Sequence, residues 1–280
     1  MRTLAAIAVA ASLIGAPAVL AEDGDALKAV VEARSDEDKA RDGARNPYET
    51  LSFFGLQEDM TVVEALPGGG WYTRIILPYV AEKGRYAAAN YPLDMFAKVI
   101  PNMTDERMAQ FRAWPEAFPE RAAGYVEGDP EIAAFAFGDA PEDLAGEVDM
   151  VLYVRALHNF FRLKDEPYGA AALQETYGML KPGGYVGVVQ HRAQEDMADD
   201  FASGRRGYVK KSAVVAKFED AGFVLIGDSE VNANPKDRPS EGDFVWRLPP
   251  TLALGDKNRD AYEAIGESDR MTLLFQKPVQ

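Results

Sequence analysis

Short apolar runs recur along this chain, each bounded by glycine, proline or a charge and separated by stretches whose apolar residues keep helical spacing. Met60 to Leu66, Arg85 to Asn90, Ile132 to Phe137, Val148 to Val154 and Tyr185 to Gln190 read as strands, with Phe223 to Val231 and Met271 to Gln276 completing the set. Between them, helices are predicted over Trp71 to Ala81, over 94–121 in two pieces broken around Pro101 and Pro115, and over Glu166 to Leu180. Lys181-Pro182-Gly183-Gly184 reads as a turn, and Ser212 as the cap of a helix that ends at Gly222. Runs apolar on both faces with helices between them predict a doubly wound, mostly parallel α/β sheet. The connection 232–270 is rich in Pro, Asp and Asn, with one short helical piece near Asp260 to Ile265, which fits a last strand inserted antiparallel.

Ahead of the sheet, Asn46-Pro47 starts a helix with Leu51, Phe53 and Phe54 on its buried side and Gly55 at its end. Asp25 to Arg45 is charged, with Leu27, Val30 and Val31 on one face, and reads as an exposed helix lying over the main domain. No repeat or second core is visible, so the division is a helical extension at 22–45 and one domain at 46–280. Residues 1–21, MRTLAAIAVAASLIGAPAVLA, have one Arg, an uninterrupted apolar run and small residues at Val19 and Ala21. That is the layout of a cleavable signal peptide, and it predicts a periplasmic or secreted chain starting near Glu22. A membrane anchor is the competing reading, but polar sequence follows at once and no later run approaches the ~18 apolar residues of a span.

Composition narrows the function. There is no Cys, which excludes disulfides and thiolate metal sites. A net charge of -15 opposes nucleic-acid binding, the one local basic cluster being Arg205-Arg206 with Lys210-Lys211.

In an open parallel sheet, ligands bind beyond the carboxyl ends of the strands, where the strand order reverses. The residues leaving those ends are Glu64, Pro67, Gly68, Gly69, Gly70, Trp71 and Tyr72 after the first strand and Asn90 after the second. Asp139 follows the third, and Tyr153, Arg155, His158, Asn159 and Phe160 the fourth; Gln190 and His191 follow the fifth. Contiguous glycines let backbone approach a ligand, but also suit a plain tight turn. Asn90 stands where an acid usually grips a ribose diol, and Asp139 suits an adenine amino group or a helix cap. The chain's only two histidines, His158 and His191, fall on the same rim, which raises them as site residues. Without a nearby carboxylate or further histidine at ligand spacing they are poor metal ligands, and no metal is expected.

Taken in order, VVEALPGGGWYTR, RYAAANYPLD, FAFGDAPED, VDMVLYVRALHNF, LKPGGYVGVVQHR and MTLLFQKP resemble the motifs of class I S-adenosylmethionine-dependent methyltransferases, over residues 45–280. More narrowly, Pro-Gly-Gly-Gly-Trp-Tyr-Thr, the His-Asn pair, Asn234-Pro235-Lys236-Asp237 and Trp246 to Pro250 look like a group of predicted exported bacterial methyltransferases. The resemblance implies a seven-stranded Rossmann-like sheet with its last strand antiparallel and S-adenosylmethionine as cofactor. It also implies that Glu64, Pro67 and Gly68 to Gly70 border the methionine part of the donor, Asn90 the ribose and Asp139 the adenine, with Arg155 also on the donor side. His158 would then act as general base or acceptor-orienting group, assisted by His191, and Tyr72, Tyr153, Asn159 and Phe160 would shape a pocket for a small acceptor. Two positions depart from the pattern: Leu66 replaces a usual glycine and Asn90 the usual acid. Two other readings compete. One is a periplasmic binding protein of the same shape that holds a nucleoside-like or other small ligand without chemistry. The other, a nicotinamide-dependent oxidoreductase, is opposed by contiguous glycines and by Thr73 at the third-glycine position.

Overall fold

The structure, a computed structural model, describes residues 23–279. The leader expected at 1–21 lies outside the described residues. The elements run α1 (Asp23–Ala33), α2 (Asp36–Lys39), α3 (Asp42–Arg45), α4 (Pro47–Phe54), β1 (Thr61–Ala65), α5 (Thr73–Val80), β2 (Arg85–Asn90), α6 (Leu93–Val99), α7 (Asp105–Ala123) and β3 (Ile132–Ala136). They continue with β4 (Val148–Val154), α8 (His158–Arg162), α9 (Tyr168–Met179), β5 (Leu180–Ala193), β6 (Val209–Lys210), α10 (Lys211–Asp220), β7 (Val224–Ser229), α11 (Arg259–Ile265) and β8 (Arg270–Gln276).

The sheet order is β3-β2-β1-β4-β5-β8-β7, with β6 a short parallel addition to β5. Strands β1 to β5 are parallel, and β8 runs antiparallel between β5 and β7 as the Pro-rich connection suggested. Order reverses between β1 and β4, so the carboxyl ends of those two strands frame the crevice of the sheet. Period-two alternation divides the core. Val63, Ala65, Val151 and Val186 pack on one face with α9 and α10, while Val62, Tyr86, Met150 and Leu152 pack on the other with α1, α4 and α5. Glu64 shares the second face, where an apolar residue would otherwise stand.

Four expectations need correction. The extension is three short helices rather than one, because Ser35 caps α2 and accepts from the Asp38 N–H at 3.2 Å. Nor is it an exposed cover: Leu27, Arg34, Asp38 and Arg45 are all buried. The first piece predicted over 94–121 ends before Pro101 as expected, but α7 runs through Pro115 and Pro119, with Phe118 and Ala122 buried to hold it. Ser212 lies inside α10 and caps nothing; its N–H and hydroxyl bind the Glu195 carboxylate. The Lys-Pro-Gly-Gly turn is drawn into β5, where Leu180 pairs with Val148 across a register shift and Gly183 donates to the Lys277 carbonyl at 2.9 Å.

Candidate functional site

A cavity of about 480 Å³ opens over the strand reversal. Its floor is Glu64, Leu66 to Gly69, Tyr72, Val154, Arg155, His158 and His191, and its roof comes from the extension (Arg41, Arg45) and from the late segment (Trp246, Pro250, Glu267, Ser268). The sheet thus brings Glu64, Pro67, Gly68, Gly69, Tyr72, Arg155, His158 and His191 together. Asn90 and Asp139 line a second cavity of about 290 Å³ with Phe111 and Trp114 of α7. Asn90 also caps its own turn, its Oδ1 accepting from the Tyr91 N–H at 2.9 Å. Tyr153 and Phe160 border a third, small space of about 70 Å³. Tyr153 bonds Thr176 at 2.7 Å, because strand alternation turns Val154 rather than Tyr153 towards the main cavity. Asn159 donates to the Tyr91 hydroxyl at 3.0 Å and so ties the β4 loop to the β2 loop.

The loop after β1 shows why a glycine is usual at position 66. Leu66 sits at φ 58°, in the left-handed region, while its N–H donates to the Ala89 carbonyl at 2.7 Å. A residue with a Cβ is disfavoured there by about 1–2 kcal/mol. Arg155 repeats the device on the neighbouring strand: it too has φ 58°, and its N–H donates to Val189 at 2.6 Å. Two strained non-glycine residues therefore flank the reversal point, where strain concentrates in functional sites. Beyond Leu66, a Cβ placed on Gly68 would meet nothing nearer than 3.9 Å, so that backbone is open to a ligand. Gly70 has a different use, since a Cβ there would lie 3.2 Å from the Tyr125 hydroxyl.

Glu64 is 3% exposed, and its Oε2 accepts from Thr73 Oγ1 at 2.7 Å and from the Tyr86 hydroxyl at 2.6 Å. Among the described residues no cation lies within hydrogen-bond reach. Burial pushes its pKa up to about 7, against the lowering effect of the two hydroxyls. The folded value exceeds the ordinary 4.5, so this carboxyl's contribution to stability is complete below about pH 4.5 and is lost as pH rises through about 7. Glu64→Gln keeps an acceptor oxygen and cannot ionise. Its stability relative to the native chain is expected to improve by about 2–3 kcal/mol between pH 5 and pH 8, measured by urea unfolding. A pH-independent difference would show that Glu64 is ionised throughout.

One wall of the cavity is cationic. Arg41 donates twice to Glu267 Oε1, at 2.8 and 2.7 Å; Arg45 lies at 3.4 Å and Arg270 at 3.2 Å from the same carboxylate. Arg45 is 2% exposed and stacks on Trp71 at 4.5 Å, and burial together with the nearby Arg155 lowers its pKa to about 9, which leaves it charged at neutral pH. His158 and His191 lie 6.0 Å apart between ring centroids, and Trp246 packs edge-on to His158 at 5.8 Å. Enclosure, then the charges of Arg155 and Arg162, lowers the His158 pKa to about 4. His191 is pushed down by enclosure and by its cationic neighbours, and its Nδ1 lies 2.6 Å from Ser268 Oγ. Both imidazoles are neutral at pH 7, and Nδ1 of His158 is enclosed with no hydrogen-bond partner among the described residues.

Sequence reasoning missed Arg41, Arg45, Glu267, Ser268 and Trp246, which come from outside the strand ends. A signal for them was present in the late segments Asn234 to Asp237 and Trp246 to Pro250. Asp237 forms a buried ion pair with Arg247 at 3.0 Å, and the Tyr208 hydroxyl donates to Asp237 at 2.9 Å while accepting from Arg247 at 2.8 Å. That triad fixes the neighbouring Trp246 over the cavity. Among the described residues no cluster of three His, Cys, Asp or Glu could hold a metal, and no helix is long and apolar enough to cross a membrane.

No family model and no curated protein matches the chain. Solved structures do match in shape. A SAM-dependent methyltransferase from Aquifex aeolicus is 17% identical, with 90% of this chain and 98% of that chain covered and a TM-score of 0.51. The [4+2]-cyclase SpnF is 15% identical, with 85% and 81% covered and a TM-score of 0.50. The fold is therefore the Rossmann-like one of class I methyltransferases, here with eight strands counting the short β6.

Proposed function

We propose that this protein is an S-adenosylmethionine-dependent methyltransferase acting on a small-molecule acceptor. The observation that carries this reading is Glu64, a buried carboxyl at the strand reversal that faces a donor-sized cavity with hydroxyls but no cation on it. Such a group fits a ligand ammonium, which would supply the missing charge and return the carboxyl to its ionised form. The open backbone at Gly68 and Gly69 fits the adjoining part of the donor. Asn90 and Asp139 would hold the nucleoside from the second cavity.

When bound, the donor supplies an electrophilic methyl group for in-line displacement. The chain's task is to align the acceptor and exclude water, which Trp246, Pro250 and the extension do from above. His158 lines the cavity as a neutral imidazole, to which a proton taken from an O- or N-acceptor would pass. The signal-like segment at 1–21 supports action outside the cytoplasm as part of the same proposal.

One observation favours a second reading, a binding protein without chemistry: Glu64 and the Asn90–Asp139 pair line separate cavities. Calorimetric titration with S-adenosylhomocysteine separates the two. Binding in the micromolar range, weakened by Asn90→Ala and by Glu64→Ala, is the expected result. No heat at millimolar ligand would overturn the methyltransferase reading.

A further inference from the structure

In a chain of net charge -15, one side of the cavity gathers Arg41, Arg45, Arg155 and Arg270 around one carboxylate, Glu267. Other arginines nearby have a carboxylate of their own, Arg34 with Asp42 at 2.6 Å and Arg74 with Asp38 at 2.6 Å, although Arg34 too leaves Nη1 without a partner. Arg155 is different: it is half-buried, it lines the cavity, and its guanidinium makes no hydrogen bond or close ion pair among the described residues, Glu267 acting on it only at longer range. Arg45, almost wholly buried, also lines the cavity and leaves Nη1 without a partner. Unmatched buried cations are costly, and a planar guanidinium is suited to two-point binding of carboxylate or phosphate. The left-handed backbone at Arg155 is a further cost at the same place.

We propose that this wall binds the acceptor through an anionic group, a carboxylate or a phosphate, held by Arg155 and Arg45. The word acceptor rests on the methyltransferase reading; the anion site rests on the arginines alone. Arg155 also precedes His158 by three residues on the same β4–α8 connection, and both line the cavity. An anion on Arg155 therefore sets the body of the molecule near the imidazole, with Trp246 as its apolar wall. The donor's own carboxylate is the competing occupant. Against it, Arg155 leaves β4 on the connection that carries His158, whereas Glu64 lies on β1 ahead of the glycine loop. The two groups thus leave different strands of the cavity floor.

The test is calorimetric titration of the purified chain with malonate, inorganic phosphate and neutral malonamide, at low and high salt. One of the two anions is expected to bind, more weakly as salt rises, and which one binds tells carboxylate from phosphate. Malonamide should stay silent. Arg155→Gln should weaken the anion about tenfold or more, with Arg155→Lys retaining part of the affinity and both variants melting like the native chain. Saturation with S-adenosylhomocysteine should leave anion binding intact. Mutual exclusion would give Arg155 to the donor and overturn the proposal, as would silence of both anions at about 10 mM, equal binding of malonamide, or an unchanged Arg155→Gln. If S-adenosylhomocysteine fails to bind while an anion does, the methyltransferase reading falls and the anion site stands.

Discussion

Asp237→Ala should lower the free energy of unfolding by about 3–5 kcal/mol, one of the two largest losses expected from a single substitution in this chain. Asp237 and Arg247 have side chains 0% and 3% exposed, and removing the carboxylate leaves an enclosed guanidinium whose one remaining counter-charge among the described residues is the half-buried Asp243, 3.2 Å from its Nε. The loss extends beyond the pair. Asp237 also accepts from the Asp269 N–H at 3.0 Å, so the late segment and the entry to β8 are pinned at one carboxylate. Urea unfolding gives the magnitude. The paired change Asp237→Leu with Arg247→Met should recover most of it, since a well-packed apolar pair can replace a buried ion pair. A single-variant loss below about 1 kcal/mol would mean that water reaches the pair.

Trp71→Ala should cost a comparable 3–5 kcal/mol or so, and should free the extension. Trp71 is 8% exposed and is held between two guanidiniums, Arg34 at 4.8 Å and Arg45 at 4.5 Å, while its Nε1 donates to the Asp38 carbonyl at 3.1 Å. Deleting the ring opens a void, unseats both cations and orphans a carbonyl. Limited proteolysis in native buffer should then cut within 23–45, and Trp71→Phe should restore protection in large part. An extension that stays protected in Trp71→Ala would show that α1 is anchored by Leu27 and Val31 alone.

The central strands were legible because they are apolar runs buried on both faces, unlike the edge strand β7 with Val224 and Ile226 exposed; β2 and β4 match their expected bounds residue for residue. The extension was not, because periodicity weighs apolar residues and here the buried side chains include Arg34, Asp38 and Arg45, held by ion pairing and by stacking on Trp71. At the site, residues leaving the ends of β1, β4 and β5 fell on one cavity because the rule of the strand reversal is topological. Tyr153 and Phe160 did not, because the face a residue presents depends on register that a run of apolar residues does not display. Arg45 and Glu267 were invisible for another reason: they are 222 positions apart, and no local pattern announces their pairing.

That separation bears on when the site comes into being. Glu267, which anchors Arg41 and Arg45, lies just ahead of β8, and β8 fills the space between β5 and β7. While the chain is being made, everything through β7 emerges with the inner edge of β5 still open, a surface prone to mispairing until the closing strand arrives. The cavity cannot assemble in stages along the nascent chain, so a ligand that binds across it meets a finished protein or none.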